Sequence, residues 1–455
     1  MTLTGSTFGS VITGSPAAVG HQLAVDGDLT LTGATLNVLG TGAGVALGQS
    51  IRLIDNRGAN PVTGTFTGLA QGATLTVEGQ TFTLSYIGGT GNDVVLTATS
   101  IPPIVPPVVP PVVPPLMTAP ASPRSITPQF SIGLDRGSGV ARLVNQNQSP
   151  RFEFTLVPGF TGGVRTASGD FNGDGIADLV IGTGPGISSK VVVLNGVDQS
   201  VLFTINPFEE AFVGGVFVTV GDITNDGVPD LAISPDESGG PRVRIFNGSD
   251  FKQLADYFGI DDPAFRGGAR VSMGDINGDG RAEVVVAAGF GGGPRITIWD
   301  GAGVLAANNG NVPNSVSIAN FFAFETALRN GSYIAAGDIN GDGKADVAFG
   351  GGPGGAPRVR IFDGPGLLGG GYGNLDEISS RQLANFFSGD VNDRAGVRLA
   401  VKNIDNDRFG DLLTGGGPDS DSRVRGYAGK SITSSTAEIL NLEAAPGFRG
   451  GIYVG

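Results

Sequence analysis

GFRGGIYVG (Gly447–Gly455) repeats the opening of three earlier stretches, GFTGGVRTASGD (159–170), AFVGGVFVTVGD (211–222) and AFRGGARVSMGD (264–275). Each earlier copy runs on into an acidic loop, and the last one stops short of it. Such loops begin at Asp170, Asp222, Asp275, Asp338 and Asn403, at intervals of 52, 53, 63 and 65 residues. A period near 50 that carries several short strands predicts propeller blades or a solenoid.

The strand count decides between the two. After each loop comes a nearly all-apolar strand (DLVIG, DLAIS, EVVVA, DVAFG, DLLTG), the pattern expected where neighbours cover both faces. A third strand follows (VVVLNG, RVRIFNG, RITIWDG, RVRIFDG, RVRGYAG), then a fourth (VLFTI, LADYF, IANFF, LANFF, EILNL). Five sets are complete. Ahead of them QFSIG (129–133), VARLVN (140–145) and FEFTLV (152–157) match strands two, three and four without a first. GGIYVG at the other end is a first strand without the rest. A solenoid would leave both partial sets as open edges, whereas a ring joins them into a sixth blade. The expected fold is therefore all-β, a six-bladed propeller closed by a 1+3 strand clasp.

Composition agrees. The chain has 455 residues, 78 of them glycine, and no apolar 3.6-residue periodicity lasts three turns. Net charge is -14, and lysine occurs only at 190, 252, 344, 402 and 430. No basic cluster is available to displace counterions from nucleic acid or to meet an anionic membrane. Without cysteine, disulfides and thiol chemistry are excluded. No apolar run is long enough to cross a bilayer as a helix, and MTLTGSTFGS lacks the basic and apolar regions of a signal peptide. These first residues read as the middle of a strand-rich domain, which leads us to expect a fragment or a misplaced start.

Three regions are expected. Residues 1–100 form a Gly/Thr-rich β-domain, with period-two alternation in LTLTGATLNVLG (29–40) and GATLTVEGQTFTLSYIGG (72–89). Residues 101–123 are a linker whose paired prolines forbid helix and sheet ladder. As polyproline II it would reach on the order of 70 Å, as a stiff spacer or a docking site for a proline-binding partner. Residues 124–455 are the propeller.

The loops read DFNGDGIAD (170–178), DITNDGVPD (222–230), DINGDGRAE (275–283), DINGDGKAD (338–346) and NIDNDRFGD (403–411). Oxygen side chains recur at positions 1, 3, 5 and 9, and glycine at 6 allows the sharp turn that gathers the first three. Asp-Gly hairpin turns account for two residues per loop but not for five copies of the acid spacing. A hard divalent cation turns this carboxylate repulsion into binding, and calcium accepts about six to eight oxygens in loose geometry. The expected ligands are Asp170, Asn172, Asp174 and Asp178; Asp222, Thr224, Asp226 and Asp230; Asp275, Asn277, Asp279 and Glu283; and Asp338, Asn340, Asp342 and Asp346. The position-7 carbonyls of Ile176, Val228, Arg281 and Lys344 complete the shells. A fifth, weaker site has Asn403, Asp405, Asp407 and Asp411, with Arg408 where glycine is expected. An EF-hand differs, with its last acid at position 12 and helical flanks. Four calcium ions would bring the charge from -14 to -6.

GGVRTASGDFNGDGIADLVIGTGPG (162–186) resembles an FG-GAP repeat, the blade unit of integrin α-subunit propellers and of secreted bacterial proteins, and the likeness recurs across 124–455. It implies calcium at the positions named above, and seven blades as the alternative ring size. Residues 1–100 resemble autotransporter-associated β-strand repeats. Both likenesses imply an extracellular or cell-surface setting.

Other signals are weaker. GGTGNDVVL (88–96) fits one copy of a calcium nonapeptide and equally a hairpin. GGGPGGAP (350–357) and Gly429-Lys430-Ser431 lack the helix or upstream glycine of a phosphate loop. Lys190, Arg242, Arg295, Arg358 and Arg423 open the third strands; pairing with blade-edge acids such as Asp236 or Asp419 is expected over attracting an acidic glycan or a carboxylate-bearing ligand. His21 is the sole histidine, no GxSxG or HExxH occurs, and Glu209, Glu210 and Glu325 are read as solvated loop acids. The expected function is a non-catalytic binding or adhesion scaffold, with a protein or glycan ligand on the face opposite the calcium loops. The alternative is a secreted carbohydrate-active enzyme, a polysaccharide lyase or glycoside hydrolase.

Overall fold

The computed structural model describes residues 1–4, 7–12, 19–20, 23–40, 47–77, 80–89, 91–99, 129–309, 312–369, 373 and 375–455. The expected polyproline spacer (101–123) and His21 lie outside these. The chain divides into two compact units, Met1–Pro120 and Ala121–Gly455.

In the first unit, successive passes of the chain stack in parallel. Thr2–Thr4 pairs with Thr30–Thr32, which pairs with Thr63–Gly64. Thr7–Ile12 pairs in the same sense with Thr35–Gly40, and Leu23–Val25 with Ser50–Asn56. Alternation in these strands sends Leu31 and Leu53 inward, where they join Leu29, Phe66 and Leu84 in one core. An antiparallel run follows, in which Ser50–Asn56, Asp93–Ala98, Gln80–Gly88 and Thr74–Val77 lie side by side. GGTGNDVVL supplies the hairpin of this run. Its Asp93 accepts the Asn56 N–H at 2.9 Å and pairs with Arg52 at 3.3 Å, so this carboxylate serves the fold.

Among the described residues, the second unit contains six four-stranded antiparallel sheets. In chain order, the first strands of five of them are Val164–Gly169, Val216–Gly221, Ala269–Gly274, Ser332–Gly337 and Val397–Lys402. Each first strand packs against the first strand of the next sheet. The remaining sheet consists of Gln129–Leu134, Val140–Asn145 and Pro150–Thr155, with Ile452–Val454 as its first strand. The clasp pairs Ile132 with Val454, Gly133 with Tyr453 and Leu134 with Ile452. Ile452–Val454 touches both Val397–Lys402 and Val164–Gly169, which completes the circuit.

Six apolar cores lie between sheets rather than within them. One, for example, joins Val180, Val191 and Val193 of one sheet to Val216, Leu231 and Ile233 of the next. The two cores flanking the clasp join Ile132, Ile452 and Val454 to Leu413 and Val424 on one side, and Ala141 and Leu156 to Val164 and Ile181 on the other. Second strands are consequently buried along their whole length, as in Asp178–Thr183, Asp230–Pro235 and Glu283–Ala288. The glycine directly before each first strand, the second of a GG pair in four of the six, has a structural reason. Gly451 has φ +83°, and a Cβ there would lie 2.2 Å from the Gly417 carbonyl oxygen.

Deleting Gly447–Gly455 should therefore remove a ladder and three buried side chains, not a frayed tail. Burial of such side chains contributes about 1.5–3 kcal/mol each, so a loss of about 5 kcal/mol or more is expected in urea unfolding. A deletion variant that unfolds like the parent would disprove the clasp.

Candidate metal centres

All five acidic loops connect a first strand to a second strand, so they share one end of the propeller. In the first four loops the carboxylate at position 1 is the hub. Asp170 Oδ1 accepts the N–H of Gly173 (2.7 Å) and Asp174 (3.1 Å), and Oδ2 that of Gly175 (2.9 Å). Asp275 and Asp338 repeat this with Gly278, Asp279 and Gly280, and with Gly341, Asp342 and Gly343. Asp222 takes Asp226 and Gly227. The glycines at position 6 have φ between +83° and +89°, which lets the backbone wrap the hub.

Positions 3 and 5 build Asx turns on the same loops. Asn172, Asn277 and Asn340 accept the N–H of Asp174, Asp279 and Asp342 through Oδ1. Asp174, Asp226, Asp279 and Asp342 accept those of Ile176, Val228, Arg281 and Lys344. The Thr224 hydroxyl lies 3.3 Å from Asp222 and 3.1 Å from Asp230, bridging the two ends of its loop. Each loop thus holds its side-chain oxygens in place with its own backbone before any ion is considered.

Position 9 differs. Asp178, Asp230, Glu283, Asp346 and Asp411 are fully buried. Their carboxylates accept N–H groups from inside the loop, those of Phe171, Ile223, Ile276, Ile339 and Ile404 at 2.8–3.0 Å. In the four aspartates the other oxygen takes the glycine that ends the third strand: Gly196, Gly248, Gly364 or Gly429. Glu283 likewise meets the N–H of the equivalent Gly301 and accepts Asn277 Nδ2. Burial raises these carboxyls against the pull of the N–H groups, to about 6 for Asp178 and Asp411 and about 7 for Glu283 and Asp346. Asp230 is also raised. Position 9 is thus a structural tie between loop and sheet, whatever it also gives to an ion.

The fifth loop departs as its sequence suggests. Arg408 is not in the left-handed region, and Asn403 Oδ1 accepts only the Asn406 N–H among the described contacts. Its Nδ2 donates to the Asp407 carbonyl, so one arm of the hub is a donor where the other loops have an acceptor.

Among the described residues one acidic group could hold a metal ion: carboxylate oxygens of Asp279, Glu283 and Asp300 lie within 4.8 Å of one another. The spacing rule misses Asp300, which comes from the end of a third strand and caps the helix Gly301–Ala306 by accepting from Gly303. Only the folded sheet brings it to the loop.

One expectation is corrected. The third-strand arginines pair with the adjoining fourth strand, not with Asp236 or Asp419. Arg242 meets Asp256 at 2.5 Å, Arg295 meets Asn320, Arg358 meets Asn385 and Arg423 meets Asn441. Cross-strand neighbours are closer than any loop acid. Glu209 and Glu325 are solvated, as expected, and each also meets an arginine, Arg242 and Arg358, at 3.2 Å.

A further constellation went unnoticed in the sequence. The second residues of the six first strands are, around the ring, Arg165, Phe217, Arg270, Tyr333, Arg398 and Tyr453. All are buried, and arginine alternates with an aromatic ring. Each guanidinium lies between two rings, at 4.6 and 5.7 Å for Arg165, 3.7 and 5.9 Å for Arg270, and 3.8 and 5.8 Å for Arg398. The signal was present as the residue two places after each GG or its equivalent.

Comparison with known proteins places the repeats. The FG-GAP-like repeat family matches residues 170–233, 222–286 and 275–349, which contain the first four loops and end before the fifth. Integrin alpha-V of Gallus gallus is 30% identical over 144 residues, and integrin alpha-5 of Xenopus laevis 27% over 147. Each alignment covers 29% of this chain, which spans 14% of the length of each relative. Among solved structures, a protein of unknown function from Bacteroides caccae aligns over 72% of this chain and 98% of its own, with 12% identity and a TM-score of 0.41. A rhamnogalacturonan lyase from Bacillus licheniformis covers 72% of this chain and 68% of its own, with 12% identity and a TM-score of 0.34.

The position-9 tie makes a prediction independent of any metal. Asp346→Ala would leave the N–H groups of Ile339, Asn340 and Gly364 without their acceptor, at a cost of about 1–3 kcal/mol. The loss should appear in urea unfolding with EDTA present. A loss seen only with calcium would contradict the structural role. The chain thus carries FG-GAP-like repeats over residues 170–349, and its second unit is an all-β propeller whose repeats are similar to those of integrin α chains.

Proposed function

We propose that the first four acidic loops bind calcium and that the propeller is a calcium-stabilised, non-catalytic binding scaffold of the cell surface or extracellular space. The observation that carries this reading is the repeated hub. In four loops a position-1 carboxylate is fixed by backbone N–H groups, and the position-5 carboxylate, with Asn at position 3 in three of them, is fixed by N–H groups of the same loop. Asp170, Asn172, Asp174 and Asp178 and their counterparts are the ligands, with the carbonyls of Ile176, Val228, Arg281 and Lys344. The fifth loop, with Asn403, Asp405, Asp407 and Asp411, is the weak one. Buried carboxyls raised by desolvation in the metal-free protein also favour a cation, because a nearby positive charge offsets their burial. The ligand face is the end opposite the loops, and residues 1–100 and 101–123 serve as an N-terminal β-domain and a spacer.

EDTA should lower the melting temperature, and added calcium should restore it with about four ions bound per chain by mass spectrometry or calorimetry. An identical melting curve in EDTA and calcium would sink the calcium reading. Incubation with acidic polysaccharides should yield no new reducing or unsaturated ends. Turnover that Glu209→Ala or Glu325→Ala abolishes would instead establish a carbohydrate-active enzyme.

A further inference from the structure

Arg165, Arg270, Tyr333, Arg398 and Tyr453 of the arginine–aromatic ring line a cavity of about 620 Å3 at the end opposite the acidic loops. The lining holds six arginines and four carboxylates, a positive mouth in a chain of net charge -14. Two of the three ring arginines are neutralised from within. Arg165 pairs with Asp135 at 3.4 Å and with Asp236 at 2.5 Å, and Arg398 pairs with the other oxygen of Asp135. Arg270 is 5% exposed, its Nε and Nη1 have no hydrogen-bond partner, and no described carboxylate reaches it. A buried charge without a counter-charge is unfavourable, and the stacking on Tyr333 offsets only part of that.

The register of the sheets shows what is missing. Asp135 and Asp236 each directly follow a second strand, in the two sheets whose first strands carry Tyr453 and Phe217. The third aromatic sheet, that of Tyr333, has Gly352 at the equivalent place. A Cβ there would lie 1.8 Å from the Asn330 carbonyl oxygen, so the chain cannot supply the third carboxylate itself. We propose that this mouth is a carboxylate-binding site, in which a carboxylate of the ligand takes the third position and pairs with the Arg270 fork. Arg266 and Arg394, exposed on the rim and bonded only to backbone carbonyls of their own turns, draw the anion in. The inference rests on the proposed ligand face for its biological role, but the anion site itself does not depend on calcium in the loops.

The test is calorimetric titration of the full chain with acetate, succinate and glutarate, and with sulfate as a comparison anion at matched ionic strength. Succinate or glutarate should bind saturably in calcium and in EDTA, provided the chain stays folded in both. Arg270→Met should weaken binding at least about tenfold while melting no lower than the parent without ligand, since it removes an unpaired buried charge. The double variant Arg266→Ala/Arg394→Ala, confined to exposed side chains, should weaken it several-fold and serves if Arg270→Met fails to fold. No saturable signal from the parent up to about 50 mM carboxylate, or sulfate binding as tightly as succinate, would overturn the proposal. An unchanged melting curve in EDTA with carboxylate binding intact would remove the calcium reading alone.

Discussion

Burial between neighbouring sheets is the constraint on which the rest of this propeller depends. A second strand such as Glu283–Ala288 carries apolar residues on both faces and is covered only when a sheet lies on each side. No sheet can be satisfied alone, and a row of them leaves two faces bare. The ring solves this, and the three-residue ladder of Ile452–Val454 on Gln129–Leu134 is where the chain closes it. The flanking cores, one built around Ile132 and Val454 and the other around Ala141 and Val164, show that this join is packed like the others.

Ring closure also sorts the chemistry by end. Loops leaving first strands collect at one end, and there the chain concentrates its carboxylates. The position-9 acids are buried because they tie the loop to the turn after the third strand, and they sit beside acids that repel them, Asp170 and Asp174 for Asp178 and Asp342 and Asp363 for Asp346. The same carboxylates that organise the fold thus create a field that a cation relieves. At the other end the sheets begin their first strands, and the second residue of each points three guanidiniums and three aromatic rings into the axis.

Much of this was legible in the sequence, for identifiable reasons. Strand type and order follow from apolar runs bounded by glycine, and the clasp follows from counting strands at both ends of a repeat. The loop hubs follow from oxygen side chains at fixed spacing, because backbone and ligand lie within nine residues. What failed involved pairs distant in sequence. Asp236 does not meet Arg242, because the sheet puts Asp256 across from its neighbour Arg244 and within its reach. Asp300 joins Asp279 and Glu283 only because the third strand ends beside the loop. The alternation of Arg165, Phe217, Arg270, Tyr333, Arg398 and Tyr453 is visible in an alignment of the repeats. Its meaning needs the ring, because one residue per 50 has no neighbour until the sheets surround an axis.

The most direct measure of closure is native-state hydrogen exchange at the clasp. If the ring is one cooperative unit, the hydrogen-bonded amides of Gln129–Leu134 and Ile452–Val454 exchange only through the opening that releases Val284, Val285 and Val286, the strand interior across the ring. Their free energies of exchange would then agree within error. Clasp amides that exchange orders of magnitude faster than that strand, while the rest of the propeller stays protected, would contradict the account.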